Sequence, residues 1–116
     1  MDGLTIRKMK PGRVLDGHLH DLLGMAEPVW PHSTHPNARP TLRAWLKEKS
    51  VLLLLPGEGH AGDGCILAVP GRSRESFVAV SESHALCLAV LLADYSIKHG
   101  QGPKPFAFYG AYSDYF

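Results

Sequence analysis

The stretch that decides the fold is Ala85-Leu86-Cys87-Leu88-Ala89-Val90-Leu91-Leu92-Ala93, nine consecutive apolar residues. Ser81 or Ser83 is suited to cap a helix before it, and Gly100 is typical of a helix end after it. Because such a helix is apolar on nearly every side, we expect it to be the most buried element of the protein. Its apolar run falls well short of the roughly 20 residues that cross a bilayer.

Three short apolar segments precede this helix, and turn residues bound each of them. They are Val51–Leu55, Cys65–Val69 and Ser76–Val80. The short connections between them predict a three-stranded antiparallel sheet. Strands that are apolar on both faces need a covering layer on each side, so we expect helices above and below the sheet.

Two further helices are predicted nearer the N-terminus. The first runs from Val14 to Leu23 with apolar residues at helical spacing and Gly24 as its stop, and the second begins at Pro40. The sequence therefore predicts an α+β fold, a three-layer α-β-α sandwich with the element order α-α-β-β-β-α. Residues 1–100 form this single domain, and residues 101–116 form an aromatic C-terminal extension.

Composition narrows the classes of function. The chain has 116 residues, 45% of them apolar and 20% charged, with a net charge of +1. This is a globular composition without the basic excess of a nucleic-acid-binding protein or the acidic excess of a DNA mimic. Cys65 and Cys87 are interpreted as buried thiols that act as small apolar side chains. The N-terminus has no signal-peptide pattern, so we expect a cytoplasmic protein.

The order of several short motifs is similar to that of a known family. Lys10-Pro11-Gly12-Arg13-Val14-Leu15-Asp16 resembles the opening of the phage ABA sandwich domain proteins, whose first helix closes on a Met-Gly, here Leu23-Gly24-Met25. Pro31-His32-Ser33-Thr34-His35 is similar to the Pro-Tyr-Ser-Thr-Asp element that opens the family's second helix, with His35 in place of the aspartate. The residue types of the final apolar helix are also similar to those of the family's last helix. The resemblance spans roughly residues 5–99.

This resemblance implies a phage or prophage gene and an α-β-α sandwich. It implies no activity, since we know of no settled function across the family, and it carries over no catalytic residue. We therefore predict no cofactor and no catalytic site.

Histidines are the first candidates for chemistry. His18, His20, His32 and His35 together offer four nitrogen ligands of the kind that zinc prefers. On a helix, however, His18 and His20 point to different sides, so they would chelate jointly only from non-helical backbone. Solvated or structurally satisfied histidines are the simpler interpretation.

Three other groups of residues are weaker candidates for a catalytic or binding site. Cys87 and His84 form an i, i+3 pair, but an apolar helix should keep the thiol protonated. The glycine-rich loop 57–64 lacks the Gly-Lys-Ser/Thr ending of a phosphate-binding loop and lies between two strands, which favours a hairpin connection. Arg72 and Arg74 could grip a phosphate, although two arginines in a turn are usually solvated.

The C-terminal extension is the strongest anomaly. It holds six of the ten aromatic residues of the chain within the last eleven positions, namely Phe106, Phe108, Tyr109, Tyr112, Tyr115 and Phe116. An aromatic segment needs an apolar surface to cover it, and aromatic anchors dominate many interfaces. Three arrangements of the C-terminal extension satisfy this need. The extension packs on its own domain, it exchanges with a second copy in a homodimer, or it docks on another protein. The Phe106-Ala107-Phe108 alternation also suits addition to a sheet edge.

The leading hypothesis is a non-enzymatic phage accessory protein that acts by binding another protein, such as a counter-defence inhibitor of a host protein complex. The alternatives are a protein that sequesters a small nucleotide-like signal, a virion assembly component that works by self-association, and a histidine-ligated metal protein. The host or phage setting of each rests on analogy and not on residues.

Overall fold

The computed structural model has an α+β fold in which helices pack with a three-stranded antiparallel sheet. It describes residues 3–24, 31–34, 36–58, 64–72 and 74–99. The aromatic extension lies outside these residues. The elements are α1 (Gly3–Lys8), α2 (Arg13–Leu23), a 3₁₀ turn (Pro36–Ala38), α3 (Arg39–Glu48), β1 (Leu52–Leu54), β2 (Cys65–Ala68), β3 (Glu75–Phe77) and α4 (Glu82–His99).

Helix α4 is the centre of the fold, as its apolar run predicts. Every residue from Ser83 to Ala93 is buried. Helices α1, α2 and α3 pack against it, and β2 of the sheet contacts it as well. Ser81 is its cap, because the Ser81 hydroxyl accepts a hydrogen bond from the backbone N–H of His84 at 3.1 Å.

Helices α2 and α3 each bury one stripe, as predicted. Leu15 and Leu19 of α2 and Leu42 and Leu46 of α3 are almost fully buried. Helix α2 ends at Gly24, whose left-handed backbone (φ 68°) suits a residue without Cβ. Helix α3 begins at Arg39, one residue before the predicted proline start.

Helix α1 was missed by sequence reasoning, so the predicted order α-α-β-β-β-α is wrong by one helix. Only Ile6 of its six residues is buried, and a single buried position gives no helical periodicity. Contacts with distant parts of the chain hold α1 in place. The Arg7 guanidinium donates to a carboxylate oxygen of Glu75 at 2.6 Å, and the Met9 carbonyl just beyond α1 lies 2.7 Å from Nε2 of His84. A helix this short is stabilised by packing and not by its own sequence.

The sheet has the predicted antiparallel order β1-β2-β3. Leu53 pairs with Leu67, and Cys65 pairs with Phe77. Leu67, Cys65 and Phe77 are buried, so these side chains mark the face of the sheet that is packed in the core. The strands are shorter than predicted, since Leu55 and Val80 lie beyond their ends.

The predicted order of layers is not confirmed. Helix α4 covers the inner face of the sheet, and α1, α2 and α3 pack against α4. Among the described residues no helix covers the opposite face, where Leu52, Val78 and Val80 are 49%, 70% and 77% exposed. The described helices also include none that is long and apolar enough to cross a membrane.

The capping role of Ser81 gives a first prediction. Ser81→Ala removes the acceptor for the N–H of His84, and we expect the free energy of unfolding to fall by about 1 kcal/mol. Ser76→Ala is the control, because Ser76 is exposed on β3 and should change stability by less than about 0.5 kcal/mol. Urea denaturation of both variants measures the difference. Equal stabilities would show that the first turn of α4 does not depend on this cap.

Candidate binding surface

The uncovered side of the sheet is the most unusual surface of the described residues. We call it the outer face. The register pairs Leu52 with Ala68 and Leu54 with Ile66, which places these four side chains on the side away from α4. The alternation continues past β3, because Ala79 is partly buried between the exposed Val78 and Val80. The outer face thus consists of Leu52, Leu54, Ile66, Ala68, Val78 and Val80.

This face concentrates apolar exposure. Three of the six large apolar side chains that are well exposed in the described residues belong to it, while Leu4, Val14 and Ile97 lie on three different helices. Single exposed apolar residues are normal in soluble proteins, but a contiguous group marks an interaction surface. The β2–β3 register adds Ser76 to the face, and the alternation that places Val78 there also places the exposed Arg74 there.

A groove opens at one end of the sheet, between core-facing residues of the strand ends and the start of α4, with Val80 of the outer face at its edge. It has a volume of about 240 Å³, and Leu55, Cys65, Val80 and Ala85 contribute to its walls. Glu82 stands at its rim and accepts a hydrogen bond from Nη2 of Arg43 at 2.5 Å. This contact with the Arg43 guanidinium lowers the pKa of the Glu82 carboxyl below its ordinary value, with a smaller contribution from Arg39. The groove therefore pairs an apolar interior with a charged rim.

Sequence reasoning missed the outer face as a site. It treated the apolar character of both strand faces as evidence for two covering layers, and only one is present among the described residues. The predicted partner-binding residues, Phe106, Phe108, Tyr109, Tyr112, Tyr115 and Phe116, all lie outside the described part of the chain.

A buried polar cluster joins α2 to the segment at residues 31–34. The Ser33 backbone N–H donates to Oδ1 of Asp16 at 2.8 Å, and the Gly12 N–H donates to the Ser33 hydroxyl at 2.9 Å. Asp16 and Ser33 are both buried, so these bonds satisfy groups that have lost water. The two segments that carry the family resemblance therefore meet through these contacts.

His32 lies in the same cluster, but no described residue satisfies its ring nitrogens. Its side chain is 1% exposed, and neither ring nitrogen has a hydrogen-bond partner among the described residues. Nδ1 of the nearby His20 is also buried and unpartnered there. Burial lowers the pKa of His32, the charge of Asp16 opposes this shift, and His20 adds to it. Buried polar atoms without partners are rare, so this pair is a candidate ligand site.

The four-histidine metal site predicted as an alternative is not assembled by the described residues. They contain no group of three or more histidine, cysteine, aspartate or glutamate side chains placed to hold a metal ion. His18 and His20 both lie within the regular helix α2, two positions apart, so they point to different sides. His35 lies outside the described residues.

The Cys87 and His84 pair is structural. Burial raises the pKa of the Cys87 thiol to about 12, which keeps it protonated. Nδ1 of His84 accepts a hydrogen bond from the Val80 N–H at 3.1 Å, and Nε2 faces the Met9 carbonyl. With both nitrogens engaged, His84 has no nitrogen left to serve Cys87 as a base. The interpretation of Cys65 and Cys87 as buried free thiols is confirmed.

The loop candidates are only partly described. Residues 59–63 of the glycine-rich loop lie outside the described chain, and Glu58 at its start accepts a hydrogen bond from the Leu55 N–H at 2.8 Å. Arg72 and Arg74 are both exposed in the connection between β2 and β3.

The unsatisfied His32 ring predicts an unusual response to substitution. His32→Phe keeps an aromatic ring and removes two buried nitrogens, each of which costs about 1–3 kcal/mol when unpaired. We expect the free energy of unfolding at pH 7.5 to stay level or rise. Chemical denaturation measures it, and a clear loss of stability would contradict this prediction.

The same residue predicts a dependence on pH. The unfolded imidazole has an ordinary pKa of about 6.5, and the native His32 has a lower one, so the unfolded chain binds more protons between the two values. The contribution of neutral His32 is complete above this window and is lost as the pH falls through it. Stability measured from pH 7.5 to 5 should therefore drop more steeply in the wild type than in His32→Phe. Parallel curves would contradict this assignment.

Comparison with known proteins gives no relative. No protein-family model, no curated protein and no solved structure matches this chain. The similarity to the phage ABA sandwich domain family thus remains an expectation from the sequence motifs.

Proposed function

We propose that this chain is a non-enzymatic binding protein and that the outer face, together with the aromatic extension at residues 101–116, forms its binding surface. The observation that carries this proposal is the cluster of exposed apolar side chains on one side of the sheet, above all Val78 and Val80. An apolar patch of this kind is the usual mark of an interaction site.

The chemistry of the face indicates the class of partner. Apart from Ser76 and Arg74, the side chains of the outer face are apolar, and the charged groups Glu82 and Arg43 form an ion pair beside the groove at the end of the sheet. An apolar centre with a polar rim is the ordinary anatomy of a protein–protein interface. A net charge of +1 gives no general attraction to nucleic acid or to an anionic membrane. The partner is therefore another protein.

The resemblance to the phage ABA sandwich domain family supplies the setting of the proposal. A phage or prophage protein of this size that binds a host protein complex in the cytoplasm of the bacterium would act as a counter-defence inhibitor. This step is by analogy, since a fold does not determine a function.

Infection assays test the inhibitor function. We expect expression of the wild-type chain to raise the titre of a sensitive phage on at least one strain from a panel that each carry one defence system. Val78→Asp combined with Val80→Asp should abolish the rise, because charges on the outer face oppose an apolar contact.

Val14→Asp is the matched control, since Val14 is 72% exposed on α2, away from the sheet. All three proteins must accumulate equally and melt alike. If the panel shows no protection, or if the double variant protects as well as Val14→Asp does, the inhibitor proposal is wrong.

A second candidate is a metal protein, and the unpartnered nitrogens of His20 and His32 favour it. Zinc binds imidazole nitrogen and completes a tetrahedral site with four ligands, of which these histidines would supply two. Its coordination would offset the cost of burying them without hydrogen bonds.

Native mass spectrometry of the full chain with equimolar Zn²⁺ tests this candidate. We expect one zinc ion per chain in the wild type, no zinc in His32→Phe, and retained zinc in His18→Ala, whose side chain points to a different side of α2. A wild-type spectrum without zinc, or zinc retained in His32→Phe, would exclude the site.

A further inference from the structure

We infer that the aromatic extension covers the outer face of the sheet within the same chain, with its phenylalanine side against the sheet and its tyrosine side outward. The inference deepens the proposed function, because it rests on the same face and states how the binding surface is built.

The outer face needs a cover that the described residues do not provide. Val78 and Val80 are 70% and 77% exposed, although they follow directly from the strand whose Phe77 is buried. The extension holds six aromatic residues that need an apolar surface. Burying either surface is favourable in proportion to the apolar area removed from water. Contact between the extension and the outer face therefore buries apolar area of both.

The sequence of the extension has the two-sided pattern that such a cover requires. In extended backbone, alternate side chains point to opposite sides. One side then carries all three phenylalanines of the extension, in the series Phe106, Phe108, Gly110, Tyr112, Asp114 and Phe116. The other side carries Tyr109 and Tyr115 with small residues between them. A phenylalanine side suits the apolar sheet, whereas tyrosine hydroxyls suit the side that faces water or a partner.

The distances allow this arrangement. Helix α4 ends at His99, and Phe106 follows seven residues later. Seven extended residues span up to about 25 Å, which exceeds the layer spacing of about 10 Å that separates α4 from the sheet. The connection is therefore long enough to reach from the layer of α4 to that of the sheet.

The size of the face favours the same chain over a second copy. Three short strands give a footprint of only about 250 Å², whereas a stable interface needs about 800 Å² from each partner. Two bare sheets stacked on each other would fall well below this requirement. A tethered segment avoids it, because the linker holds the segment at an effective concentration in the millimolar range.

Photo-crosslinking of the full chain tests the arrangement. Phe108 is replaced by p-benzoylphenylalanine, the protein is irradiated at a concentration at which it is monomeric, and the cross-linked peptides are mapped by mass spectrometry. We expect links from position 108 to residues 52–54, 65–69 or 75–80 within one chain. The same photoreactive residue at position 14 on α2 is the control and should form no link to residues 106–116.

Limited proteolysis is a second measurement that needs no modified residue. Chymotrypsin cleaves after the aromatic residues of the extension, and its rate follows the fraction of time for which the segment is open. Val78→Asp combined with Val80→Asp should speed this cleavage at least about tenfold. Val14→Asp should cleave at the wild-type rate, and equal melting temperatures would show that all three proteins are folded.

The outcomes separate this inference from the proposed function. Links from position 108 to another surface, links only between two chains, or equal cleavage rates in the two aspartate variants would overturn the inference. Neither measurement involves a partner, so links to the outer face would support it even if no defence system responded. Conversely, loss of protection in Val78→Asp with Val80→Asp, while position 108 links to another surface, would leave the proposed function in place and overturn the inference.

Discussion

The structure depends on the burial of a helix that has no polar side. Eleven consecutive residues of α4, from Ser83 to Ala93, are buried, so the helix needs apolar neighbours all around it. The other elements meet this need by packing on α4, with three helices on it and the sheet contributing through β2. Their own buried stripes are narrow, and a helix such as α1 would not be stable alone. The core is thus built around one element and not between two equal layers.

That arrangement explains which features were predictable. Helix α2 with its Gly24 end, the antiparallel sheet and the burial of α4 all follow from local patterns, because spacing and turn residues determine them. Helix α1 has one buried residue and is fixed by Arg7 and by the Met9 carbonyl, both of which contact residues about 70 positions away. The outer face was missed for a related reason. An apolar strand face indicates that a cover is favourable, but it does not indicate which segment supplies the cover.

Two buried histidines illustrate why residue type alone did not identify a site. His84 uses both nitrogens, for the Val80 N–H and the Met9 carbonyl, and so connects α1 to the start of α4. His32 is as deeply buried, yet neither of its nitrogens has a partner among the described residues. The sequence presents both as histidines beside serine residues. Only their surroundings distinguish a histidine that connects two elements from a candidate ligand, because the position of hydrogen-bond partners is set by the tertiary structure.

The position of α4 in the chain has a consequence for biosynthesis. Synthesis proceeds from the N-terminus, so α1, α2, α3 and all three strands leave the ribosome before the helix on which they pack. Each of these elements carries apolar side chains, in α1 the single buried Ile6, that have no complete partner until residues 83–93 emerge. Stable assembly therefore waits for nearly the whole described chain, and a nascent chain halted before α4 would expose these side chains to chaperones and proteases.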